Sequence, residues 1–215
     1  MKLKYFIFSL TLLTFFFSGC QDRAFEKNIK QELLIDLTKL KNEIILLQEK
    51  IAADGSQKEV LEQFKKTRLQ YKRIEWAVEY FVPETARFMN GPALDEMELE
   101  ENKFFVPNGF QVIEEHIYPE YDSKNKKEII RELDILLSNT KQVETTFGAI
   151  TISDDYVLDA LQQNVHRILT LGITGFDSPI LNSSIPEARQ SLSVIPELLL
   201  IIQANSKILD DVKQI

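Results

Sequence analysis

The stretch from Phe25 to Ile51, FEKNIKQELLIDLTKLKNEIILLQEKI, decides the fold class. Its apolar residues Phe25, Ile29, Leu33, Leu37, Leu40, Ile44, Leu47 and Ile51 recur in steps of three and four. That spacing puts them on one stripe of a single long helix. Asp54-Gly55 predicts its end. Ser56-Gln57-Lys58-Glu59 has the spacing of a capping box, where serine hydroxyl and glutamate carboxylate satisfy each other's free backbone N–H groups and open the next helix. That second helix carries Val60, Phe64, Tyr71, Ile74, Val78 and Phe81 on one face and stops at Pro83, which cannot donate to a continuing helix.

Beyond it lies a connection without periodicity, from about Glu84 to Asn108, with Gly91-Pro92 and the acidic run Asp95, Glu96, Glu98, Glu100 and Glu101. A connection of this length is either functional or mobile. A short helix is expected from Gly109 to Tyr118 and a longer one from Lys126 to Phe147. Another is capped by Ser153-Asp154-Asp155, and a turn covers Gly172 to Pro179. A last helix opens with the capping box Ser184-Ile-Pro-Glu187 and runs toward Val212, kinked or broken at Pro196. No stretch alternates with period two beside a hairpin signal. The expected fold is all-α, an up-and-down helical bundle with one long loop after the second helix.

Composition narrows the chemistry. The chain has 215 residues, 44% hydrophobic and 27% charged, enough for one domain that buries about 70% of the unfolded surface. A single cysteine excludes a disulfide framework, a multi-cysteine metal site and a C-x-x-C-H covalent haem attachment. A net charge of −8 argues against nucleic acid as a partner and against a basic patch docking on anionic lipid.

The N-terminus reads as an address. Lys2 and Lys4 precede the apolar run Tyr5 to Phe17, too short for an ordinary membrane span and typical of a secretory leader. Phe17-Ser18-Gly19-Cys20 resembles the bacterial lipobox, which implies cleavage before Cys20 and acylation of its sulfur. The division is then a signal peptide over 1–19, a lipidated tether over 20–24 and a helical domain over 25–215. Several acyl chains would hold it on a bilayer, at about 0.8 kcal/mol per buried methylene. Gln21 after the cysteine, by resemblance to other bacterial lipoproteins, favours the outer membrane, with the domain facing the periplasm.

Most enzyme classes fail on residue inventory. The two histidines, His116 and His166, form no H-E-x-x-H, and neither has a glutamate three residues earlier, as a di-iron bundle needs. Both border apolar stripes and read as edge histidines. There is no G-x-S-x-G elbow and no Gly-rich phosphate loop. Two patterns survive. Arg68, Tyr71, Lys72, Glu75 and Glu79 share one side of the second helix, where Lys72 reaches Glu75 and Arg68 can pair with a carboxylate of a neighbouring helix. An ordinary salt-bridged flank has the same spacing. Gln111 and Glu114 share a face at the start of the short helix, able to hold an ion or an extended peptide. Asn108-x-x-Gln111 is equally a capping pair.

Gly109-Phe-Gln111-Val-Ile-Glu114 resembles the imelysin signature Gly-x-His-x-x-Glu, with Gln111 in the histidine position. The likeness extends to Arg68-Leu-Gln-Tyr-Lys-Arg-Ile-Glu75, to Gly91-Pro92 and to Arg167-Ile-Leu-Thr-Leu-Gly-Ile-Thr-Gly-Phe-Asp-Ser-Pro179, roughly Leu61 to Ser191 in all. Together the blocks look like the imelysin-like helical domain that precedes the dihaem domain in some bacterial cytochrome-c peroxidase lipoproteins. The resemblance implies an envelope protein linked to iron, haem or peroxide metabolism, with a haem peroxidase or an iron-uptake protein as partner. Three readings follow. The first is a non-catalytic docking module whose connection from Pro83 to Asn108 receives a partner beside Gln111, Glu114, Glu75 and Arg68. The second binds iron or another metal through Glu114, Glu115, Glu75 and His116, since oxygen ligands suit hard cations. The third, a metallopeptidase, has least support, because the Gln111 amide neither titrates nor binds zinc well.

Overall fold

The computed structural model describes the backbone of residues 2–98 and 103–205, and side chains within 25–203 except at 96 and 98–104. The lipidation site proposed at Cys20 therefore lies outside the described side chains, as does the end of the last helix beyond 205. Among the described residues no helix is long and apolar enough to cross a membrane.

The chain folds into a helical bundle. Helix α1 spans Lys2–Ala52, and the whole stripe from Phe25 to Ile51 is buried in the core. Asp54, at φ 56°, turns the chain, and Ser56 with Glu59 forms the expected capping box at the start of α2, Gln57–Phe81. These two helices are antiparallel, since Asp36 meets Gln70 and Arg73 while Glu43 meets Gln63 and Thr67. Helix α5, Lys126–Ala149, also runs antiparallel to α1: Lys126 reaches the carbonyl of Ala52, Gln48 reaches Asp134, and Lys30 reaches the carbonyl of Ile150.

Helices α2 and α5 therefore point the same way, so the connection between them must carry the chain back along the bundle. It is built rather than open. Helix α3, Pro83–Asn90, starts where proline's missing N–H costs nothing. A two-stranded antiparallel pair follows, β1 Glu96–Glu98 and β2 Lys103–Phe105, with Met97 opposite Phe104. Helix α4, Phe110–Ile117, completes it. The sequence suggested neither α3 nor the hairpin: α3 is too short for a periodic signal, and the strands are only three residues each.

Helix α6, Asp154–Arg167, is capped by Ser153 as expected and continues into a π-helical turn over Ile168–Gly172. Helix α7, Ser184–Asn205, passes through Pro196 without ending. It runs parallel to α2, because Arg68 meets Glu187 and Arg73 meets Glu197. Ser184 lies inside the helix, so the box expected at Ser184 and Glu187 does not form. Glu187 instead points into the core, 2% exposed.

Neighbouring isoleucines on α1 test the stripe directly. Ile44 is fully buried and Ile45 is 42% exposed. Ile44→Ala should lower stability by about 2–5 kcal/mol through the lost contacts and the cavity. Ile45→Ala should stay within about 0.5 kcal/mol. Urea unfolding of both variants checks the difference.

Candidate functional site: a buried charge network

Helix α2 turns Arg68, Tyr71, Lys72 and Glu75 toward the bundle interior, each at most 2% exposed. Apolar surroundings make a lone charge there very costly, so each cation arrives with acceptors. Arg68 grips Glu187 of α7 with two bonds, Nε to Oε1 at 2.7 Å and Nη2 to Oε2 at 2.8 Å. Its remaining donors reach the Asp177 carbonyl at 2.5 Å and Asn90 Oδ1 at 3.3 Å. The guanidinium also lies 5.9 and 5.6 Å from the rings of Phe64 and Phe110, within cation–π range.

Lys72 Nζ donates to Glu75 Oε1 at 2.6 Å and to Asp177 Oδ2 at 2.7 Å. Arg167, at the end of α6, takes both oxygens of Asp177 at 2.7 and 2.8 Å. It also reaches Glu75 and Glu79, each at 3.0 Å. Asn90, the last residue of α3, donates to Asp177 at 3.2 Å and so closes the network from above. Ser191 of α7 links Glu75 to Asn164 of α6.

Helix α4 joins the edge of this network. Gly109 precedes it at φ 95°, a conformation that L side chains rarely adopt. A Cβ there would stand 2.3 Å from the Met89 carbonyl oxygen, so only glycine lets α3 approach this closely. The Gly109 N–H donates to Glu132 Oε2 of α5 at 2.9 Å. Gln111 Nε2 donates to the Asn90 carbonyl at 3.1 Å. Glu114 Oε1 accepts from the Ser178 hydroxyl at 3.0 Å and the Leu181 N–H at 2.5 Å. Glu114 Oε2 and the Tyr71 hydroxyl are buried and have no hydrogen-bond partner among the described residues.

Three cations, Arg68, Lys72 and Arg167, face five carboxylates, Glu75, Glu79, Glu114, Asp177 and Glu187. The imbalance sets the titration. Burial works against ionisation of Asp177, but Arg167 and Lys72 outweigh it and hold the carboxyl well below its ordinary value. Burial likewise opposes ionisation of Glu187, and Arg68 more than offsets it. Glu79 and Glu114 go the other way: burial pushes both up, and their cations do not make up the difference. The Tyr71 hydroxyl is raised by burial and by the charges of Glu79 and Glu75.

The structure thus brings together Arg68, Tyr71, Glu75, Gln111 and Glu114, with Gly109 holding the backbone beneath them. It does not assemble the expected metal ligands. Glu115 is exposed one residue from Glu114, because successive helical residues point about 100° apart. His116 is partly exposed, and its electrostatic neighbours are Glu128 and Glu132 of α5. Among the described residues no group of three or more His, Cys, Asp or Glu side chains is placed to hold a metal ion. Iron does not fit this donor set: both oxygens of Glu75 and one of Glu114 are already bonded to protein donors. Within the connection from Pro83, helix α3 seals the network through Asn90.

Several members carry no local signal in the sequence. The sequence places Asp177 in a turn, Glu187 at a cap, Arg167 within a block of the imelysin resemblance and Asn90 in a connection, contexts that do not mark them as partners of Arg68 and Lys72. The legible signal was electrostatic: Arg68 sits beside the apolar stripe of α2 and must find a distant carboxylate. Asp177, an isolated acid in the otherwise uncharged stretch from Ile168 to Pro186, was one such carboxylate. Comparison with models of known protein families and with curated proteins finds no match.

Asp177 and Glu187 titrate below their ordinary values of 3.8 and 4.5 when folded. The stability they contribute is complete above those values and is lost as pH falls through and below them. Thermal melts should show a fall in melting temperature that begins between about pH 5 and pH 4 and steepens on further acidification. Glu187→Gln should flatten that fall, while lowering stability at neutral pH by about 3–5 kcal/mol because Arg68 loses its counter-charge.

Proposed function

We propose that this chain is a non-catalytic docking lipoprotein of the bacterial cell envelope, built on an imelysin-like helical domain. Acylated Cys20 anchors it in a bilayer, the outer membrane in the first instance, with the domain facing the periplasm. Its partner is a protein of iron, haem or peroxide metabolism, such as a haem peroxidase or an iron-uptake component.

One observation carries the non-catalytic part. The residues that the resemblance places at a working centre are engaged inside a closed core, with Gln111 3% exposed and Glu114 0%. A substrate cannot touch them without displacing α3, and the amide of Gln111 is bonded to the Asn90 carbonyl. What these groups accomplish is alignment. They tie α2, α3, α4, α6 and α7 to one another, so the outer faces of those helices are held in fixed register. A rigid surface costs little ordering on association, which suits a docking module.

Glu114 separates this reading from metal handling. Glu114→Gln keeps an oxygen to accept from Ser178 and Leu181 and replaces the unpartnered Oε2 with an amide. It removes the cost of ionising a buried acid whose folded pKa is raised, a cost that grows as pH rises above the ordinary 4.5. The variant should melt at or above the wild-type temperature at pH 8 and recover the same envelope partner in cross-linking. Glu114→Ala strands the Leu181 N–H and should cost about 1–3 kcal/mol. The full chain in detergent, incubated with iron and with zinc, should keep no stoichiometric metal by mass spectrometry. Near-stoichiometric metal that disappears in Glu114→Gln would instead make the protein a metal carrier.

A further inference from the structure

The seam between α2 and the first turns of α7 is open on its outer side. A cavity of about 370 Å³ lies there, with Leu69, Leu181 and Pro186 as apolar wall and Glu62, Lys65 and Lys66 at its edge, where Glu62 and Lys65 pair and so offset each other. Through Leu69 and Pro186 it continues into a second hollow of about 540 Å³, bordered by Ile185 and Arg189. Both volumes fall in the range of ligand-binding clefts. Ile185 stands in this groove 70% exposed. Lys66 and Arg189 are exposed, and neither has an ion-pair partner among the described residues. In a chain of net charge −8, two free cations beside an apolar trough are a local reversal of sign.

We propose that this groove is where the partner docks, and that it takes an acidic segment of protein with an apolar side chain between its carboxylates. The assignment deepens the docking reading and rests on it. Charge complementarity chooses the occupant: Lys66 and Arg189 select carboxylates, while Leu69, Leu181 and Ile185 give an apolar residue a surface to bury. A bilayer fits poorly. The trough is recessed between two helices where a flat membrane cannot follow, and the acidic chain as a whole is repelled by anionic lipid. The floor is preformed. Glu187 and Ser183 line the cavity and are bonded to each other, Glu187 is gripped by Arg68, and the Leu181 N–H is held by Glu114. The buried network thus shapes the floor of the groove, which it reaches through Glu187.

The test uses the full chain in phosphatidylcholine nanodiscs and two fluorescein-labelled peptides, a Leu-Phe pair flanked by glutamates and the same pair flanked by lysines. Fluorescence anisotropy should show saturable binding of the glutamate peptide only, weakened as salt rises from about 50 to about 500 mM. Ile185→Ser should weaken it further. The double variant Lys66→Glu with Arg189→Glu should lose roughly tenfold in affinity for the glutamate peptide and gain binding of the lysine peptide. None of these residues belongs to the network, so melting temperatures should be unchanged. Binding of neither peptide, equal binding of both, or indifference to the double variant would overturn the proposal. So would displacement of the peptide by decanoate from both wild type and variant alike, which would mark the hollow as a site for anionic amphiphiles. If the double variant still cross-links to the envelope partner as wild type does, the docking reading survives and the groove is not its site.

Discussion

Among the described residues, Arg68, Lys72 and Arg167 lie against a bundle core that is mostly aliphatic and aromatic, and the packing around them is arranged to accommodate their charge. Removing arginine and lysine from water is costly, and attraction to a carboxylate repays it only when geometry is good and the remaining donors are also satisfied. Asp177 meets that condition for two of them. It lies between Arg167 and Lys72 and accepts from Asn90 as well. Glu187 meets it for Arg68 through a two-bonded pair. Helices α2, α6 and α7 are therefore fixed by directional contacts as well as by apolar packing. A hydrophobic seam tolerates sliding by a fraction of a turn; a bidentate guanidinium does not.

That constraint also explains the connection after α2. Since α5 and α7 both run parallel to α2, a simple hairpin cannot follow it, and the chain must return along the bundle before α5 begins. The return segment is used to close the charged interior: Asn90 ends α3 against Arg68 and Asp177, and Gln111 holds the Asn90 carbonyl. Gly109 permits the approach of α4 to α3 that makes this possible. The motif from Gly109 to Glu114 works here as a clasp between helices, in which glycine supplies conformation, glutamine an amide donor and glutamate two accepted bonds.

The long helices were legible because each carries its pattern many times. The stripe from Phe25 to Ile51 has eight members, and Ser56 with Glu59 marks the following start. The convergence of Arg68, Glu75, Gln111 and Glu114 was foreseeable in outline, since polar residues beside apolar stripes need company. Their partners were harder to read. Asp177 and Glu187 lie in turn and cap contexts where local chemistry already accounts for an acid, so nothing local signals a second role. The hairpin was hidden for another reason: two strands of three residues offer no run over which alternation can be counted. Helix geometry separates two of the candidate metal ligands, because Glu114 and Glu115 are sequence neighbours on different faces.

Two of the pairings that neutralise the core, Arg68 with Glu187 and Lys72 with Asp177, join residues more than a hundred positions apart. During synthesis, helix α2 appears long before either acid. Until Asp177 arrives, Lys72 has only Glu75 for company, and the carboxylate that Arg68 grips lies on another helix altogether. Closing such distant pairs late is slow compared with forming local helices. The chain therefore has a built-in order of completion, in which the α1–α2 hairpin waits as a half-formed shell and the final third of the sequence supplies the charges that let it shut.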